Sequence, residues 1–186
     1  MERWQAFNIF ADMSARISPE QLLQLANEFG TPLYIYHAEK IKEQYSRLQS
    51  AFRTSDTKFF YAAKALTNIN ILKYIRNIGC NVDCSSINEV LLAIKAGFEP
   101  PHILYTSNNI AFNEIEAAQQ LGVNINIDSI SNLKKFGQKY GHSYPVGMRL
   151  RPNIMAGGNL KISTGHGDSK FGVPLGQIDQ VLQVVK

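Results

Sequence analysis

The sequence has 186 residues, 45% apolar and 18% charged, with a formal net charge of +4. That length and balance predict a soluble globular protein able to bury a real core, and they exclude a disordered, fibrous or low-complexity chain. No apolar run approaches the roughly 18 residues of a membrane span, Met1-Glu2-Arg3-Trp4-Gln5 is not a secretory leader, and basic residues are scattered rather than grouped with aromatics. A cytoplasmic protein without nucleic-acid or membrane partners is expected.

Ser18-Pro19-Glu20-Gln21 offers an N-cap hydroxyl, a helix-compatible proline and a capping-box glutamine. Gly30 ends the apolar periodicity of Leu22, Leu23, Leu25 and Ala26, so a helix is expected over 19–29. Residues 33–36 read as extended. Over 38–52, Ile41, Tyr45, Leu48 and Phe52 recur at helical spacing.

From Lys58 the pattern changes to strand followed by helix. Strands are expected at 58–63, 81–84, 103–106, 124–127 and 146–150, and helices at 68–77, 87–96, 112–121, 130–140 and 175–185. Gly97, Gly122 and Gly141 each close a helix. Such alternation implies parallel strands joined by helical crossovers. The chain is therefore divided into an N-terminal segment, 1–57, and a strand-helix part, 58–186. An open doubly wound sheet and a closed (β/α)8 barrel both accommodate the pattern, and periodicity does not separate them.

Lys64 is the main chemical clue. It leaves the end of the apolar run Phe59-Phe60-Tyr61-Ala62-Ala63, and no other charge follows until Lys73. An amine among apolar neighbours is costly to protonate, which can leave a nucleophilic fraction able to form a Schiff base. The plainer alternative is a lysine that snorkels to water. Arg149 sits in the apolar run Val146-Gly147-Met148-Arg149-Leu150, where burial requires an anionic partner. By alternation Arg151 shares its face, so either could point inward. Cys80 and Cys84 fall on one side of a strand, without the further ligands a zinc site needs, and read as buried free thiols. The glycines at 157, 158, 165, 167 and 172 do not precede a helix, so they make no helix-terminal phosphate cradle, and His166 among them reads as a solvated loop residue.

Tyr-Ala-Ala-Lys-Ala at 61–65, Asp83-Cys84-Ser85-Ser86 with Glu89, Arg149-Leu150-Arg151-Pro152-Asn153, Ile162-Ser163-Thr164-Gly165 and Ser169-Lys170-Phe171-Gly172 occur in that order. Together they resemble the alanine-racemase-fold, pyridoxal-phosphate-dependent amino-acid decarboxylases, most closely the branch acting on diaminopimelate. The resemblance implies a (β/α)8 TIM barrel, incomplete here, with about five of eight strands and without the C-terminal β-domain. It implies pyridoxal 5'-phosphate carried on Lys64, with Asp83 and Arg149 beside the cofactor and Glu89 and Arg151 possible supports further out. A homodimer acting on a small amino acid is implied as well, with the fragment alone inactive. In such a barrel the residues after each strand converge, and Ser85, Thr106 to Asn108, Asp128 and Ser129 join the candidates. An ornithine- or arginine-type decarboxylase, or a non-catalytic relative that binds the cofactor, remains the alternative.

Overall fold

The computed structural model describes residues 17–106, 108–154, 164–167 and 169–185. The chain divides into two compact units, residues 1–56 and 57–186.

In the first unit, α1 (Pro19–Phe29) begins with the expected reciprocal cap. Ser18 Oγ accepts the Gln21 N–H at 3.3 Å, and Gln21 Oε1 accepts the Ser18 N–H at 2.8 Å. Gly30 ends it at φ +80°. The second helix, α2 (Ala38–Ala51), is capped by a residue the sequence did not flag: His37 Nδ1 accepts the Lys40 N–H at 3.2 Å. Residues 33–36 join no sheet.

The second unit carries five parallel strands: β1 (Phe60–Ala62), β2 (Asn81–Cys84), β3 (Ile103–Thr106), β4 (Asn124–Ile127) and β5 (Gly147–Met148). Between them run α3 (Ile69–Asn77), α4 (Ile87–Lys95), α5 (Phe112–Gln120) and α6 (Ile130–Tyr140). The strands lie in sequence order, β1-β2-β3-β4-β5. A doubly wound sheet reverses its order at a switch point; this one does not.

Burial supplies a second distinction. Val82, Cys84, Ile103, Tyr105, Ile125 and Ile127 project from one face and are buried together with Leu72, Ile75, Val90, Ala93, Ile115, Ala118, Leu133 and Phe136 of the helices. Alternate residues Asp83, Leu104, Thr106 and Asn126 lie on the other face and remain half-exposed. Helices thus cover one face, as around a barrel, whereas doubly wound sheets are covered on both. The observed architecture is an α/β fold whose parallel sheet winds in one direction.

The fifth strand differs from the expected run at 146–150. Arg149 donates its N–H to the Ile127 carbonyl at 2.8 Å, while its own carbonyl accepts the Val173 N–H at 2.9 Å. The chain changes partners at this residue. Beyond it β6 (Leu150–Arg151) pairs in parallel with β7 (Val173–Pro174), and α7 (Ile178–Val185) follows a short 3-10 turn. Gly157 and Gly158 lie outside the described residues.

Candidate active site

The C-terminal ends of β1, β2 and β5 bring the charged candidates Lys64, Asp83 and Arg149 to one region, and β3 ends beside them in Thr106. Asp83 is penultimate in β2, on the uncovered face, and half-buried. Burial raises its carboxyl above the ordinary carboxylate range; a hydrogen bond from Thr106 opposes this, as do the charges of Lys64 and Arg149, while Glu89 adds to the rise. Asp83 Oδ1 is buried and has no hydrogen-bond partner. An unpartnered carboxylate oxygen withdrawn from water is unfavourable unless a donor arrives.

Lys64 follows β1 in a 3-10 turn, Ala63–Ala65, rather than extending the strand. Tyr61, on the preceding strand, closes this turn by donating its hydroxyl to the Leu66 carbonyl at 3.2 Å, and the Leu66 N–H reaches the Ala63 carbonyl at 3.0 Å. Burial of Lys64 among apolar neighbours is not what the structure shows. β1 is the edge strand of the sheet, and the lysine there is exposed while Ala63 beside it is buried.

Glu89 is fixed by the backbone. Its Oε2 accepts the Ser85 N–H at 2.7 Å, and Ser86 caps the same helix by accepting the Glu89 N–H at 3.2 Å. Glu89 therefore performs the helix-start role open to it and still adds negative charge beside Asp83.

The two arginines part company. Arg149 acts on Asp83 and lies over the Phe171 ring. Arg151 bonds the Ser169 carbonyl and the Asn153 side chain, tying down the return of the loop. Ser169 is buried, and its N–H meets the His166 carbonyl at 3.0 Å.

Asp128 holds loops instead of facing Asp83. Its Oδ2 accepts the Asn109 N–H at 2.8 Å and the Asn108 amide at 3.1 Å, and that amide also reaches the Lys170 carbonyl at 3.1 Å. Ser129 caps α6. Next to it, Asn132 donates to the Ile110 carbonyl at 3.2 Å. Cys80 and Cys84 are free and buried, with the Cys84 thiol pushed up to about 12, chiefly by burial. Among the described residues no group of His, Cys, Asp and Glu could hold a metal, and no helix is long and apolar enough to cross a membrane.

Residues 38–186 match the family described as pyridoxal-dependent decarboxylase, pyridoxal binding domain. The chain belongs to this family. A diaminopimelate decarboxylase of Methanothermobacter thermautotrophicus is 39% identical over 153 residues, which are 81% of this chain and 36% of that protein. The crystal structure of diaminopimelate decarboxylase from Helicobacter pylori complexed with L-lysine superposes with a TM-score of 0.80 at 31% identity, covering 87% of this chain and 42% of that one. The enzyme of M. jannaschii in co-complex with L-lysine gives 0.76 at 29% identity, covering 89% and 41%. The chain thus spans about two fifths of the length of these relatives.

The donor set fits a pyridoxal group. The cations acting on the half-satisfied Asp83 carboxylate are Lys64 and Arg149, and Lys64 is the amine to which such an aldehyde could attach.

Proposed function

We propose that this chain supplies the cofactor-bearing lysine and its charged neighbours in a decarboxylase that converts meso-diaminopimelate to L-lysine and carbon dioxide. When bound, pyridoxal phosphate supplies an electron sink for the pair left on the α-carbon as carbon dioxide departs. Lys64 would hold the cofactor through Nζ. A Lys64 ammonium free of the cofactor would need a counter-charge. Asp83 would provide it, with Oδ1 as the acceptor for Nζ and Thr106 beside the carboxylate. Glu89, anchored on Ser85, keeps a second negative charge close. Arg149 adds a balancing positive charge, its planar cation backed by Phe171.

The observation carrying this reading is the unpartnered Asp83 Oδ1 in a field set by Lys64 and Arg149. The choice of diaminopimelate is supported by the relatives above, named for that substrate. In the intact protein proposed here, the sheet continues into a closed (β/α)8 barrel with a C-terminal β-domain, and two copies pair as a homodimer. Carbon dioxide release from meso-diaminopimelate and from ornithine tests the substrate. A site built for the distal amino-acid group should favour diaminopimelate by at least about 100-fold in kcat/KM, because ornithine leaves buried polar groups unpaired. Comparable values would overturn the substrate assignment.

A further inference from the structure

The uncovered face of the sheet carries a ladder of polar residues leading to Asp83. Thr106 pairs in register with Asn126, and Asn126 with Gly147. Asp83 pairs with Leu104, two residues before Thr106, so Thr106 is its diagonal neighbour on the same face. Asn126 Nδ2 donates to Thr106 Oγ1 at 3.2 Å. A threonine hydroxyl has one proton to give. With Oγ1 already accepting from Asn126, that proton is free for the carboxylate of Asp83, its diagonal neighbour on the same face, and the Thr106 hydroxyl lowers the Asp83 carboxyl as such a bond would.

Gly147 makes room for the ladder. A Cβ at this position would stand 2.1 Å from Asn126 Oδ1 and 3.2 Å from its Cγ. No L side chain fits beside the Asn126 amide as it lies.

We infer that Thr106 and Asn126 are positioning residues that hold the Asp83 carboxylate through a directed chain, Asn126 amide to Thr106 hydroxyl to Asp83 Oδ2, leaving Oδ1 as the acceptor for the Lys64 amine. The use made of Oδ1 rests on the decarboxylase reading; the chain of bonds does not. Each donor is polarised by the one before it, so the terminal bond favours the ionised carboxylate. The other charges facing Asp83 are Lys64 after β1, Glu89 in α4 and Arg149 after β5. They are the same in variants of Thr106, so a difference between variants reports the hydroxyl.

The test is the titration of the Asp83 carboxyl in the intact, cofactor-free protein, followed by difference infrared spectroscopy and assigned by loss of the band in Asp83→Asn. Thr106→Val should raise the midpoint by about one pH unit, the size expected for one charge-assisted hydrogen bond. Thr106→Ser, which keeps the hydroxyl, should restore it, and Asn126→Ala should raise it by less. In the cofactor-loaded enzyme the acid limb of kcat/KM should move up with the carboxyl. An unchanged midpoint in Thr106→Val, or failure of serine to restore it, overturns the inference. If Thr106→Val does not fold, Asn126→Ala decides: a raised midpoint supports the chain, and an unchanged one overturns it. A protein that binds no pyridoxal phosphate would refute the decarboxylase reading, while the infrared titration would still decide the chain.

Discussion

The Arg149 guanidinium lies over the Phe171 ring, with Cζ 4.6 Å from the ring centroid. Two contacts from one short segment hold this arginine, because Val173, two residues beyond the ring, donates its N–H to the Arg149 carbonyl. The ring fixes the side chain and the strand pair fixes the backbone. A half-buried cation–aromatic contact contributes about 0.5–2 kcal/mol. Phe171→Leu should therefore lower kcat by roughly tenfold through loss of Arg149 orientation, while unfolding free energy falls by about 1 kcal/mol or less. Steady-state kinetics and urea unfolding of the same preparation check both, and unchanged turnover would detach Phe171 from the site.

Gly172, between these two contacts, has φ +71°, and an added Cβ would lie 2.9 Å from the Arg149 carbonyl oxygen. The obstacle is backbone in a strand pair, which cannot swing aside like a side chain. Gly172→Ala should destabilise the protein by about 1–3 kcal/mol through left-handed strain and the close approach. Gly176 has open space around its Cβ position and no positive φ, so Gly176→Ala is the matched control and should be neutral or slightly stabilising. Equal denaturation midpoints for the two variants would contradict this account of the turn.

Asp83 should make stability depend on pH. Its carboxyl is raised in the folded protein, chiefly by burial. Between the ordinary and the raised value, the native state binds more protons than the unfolded one, so stability falls as pH rises through that window. Asp83→Asn removes the ionisation. The variant should gain Tm relative to the parent above the window, gain least below it, and lose catalysis. Thermal scans from pH 4 to pH 8 check the sign. A parent protein whose Asp83-dependent stability increases with pH would show that the carboxylate is better paired than the structure indicates.

The strands and helices were legible because the apolar spacing that writes them is local. Val82 and Cys84, or Leu72 and Ile75, declare their buried faces within a few residues, and the Ser18–Gln21 cap is visible in four letters. Lys64 and Arg149 stand out as charges in apolar runs and Asp83 only through the family resemblance, and the structure brings the field of both cations onto Asp83. Features that depend on pairing between distant segments were hidden. The change of partner at Arg149 needs Val173, and the Thr106–Asn126–Gly147 ladder exists only once strand register is known. Asp128 could not be recognised as a loop clamp without Asn108 and Asn109 beside it. The Tyr61 hydroxyl that closes the Lys64 turn was in plain view, but a tyrosine in an apolar run reads first as core.

The central claim is that Lys64 carries the cofactor. Intact protein loaded with pyridoxal phosphate, reduced with borohydride and digested, should yield one modified peptide, containing Lys64, and Lys64→Ala should yield none. Label on another lysine, or modification that survives Lys64→Ala, would contradict the account.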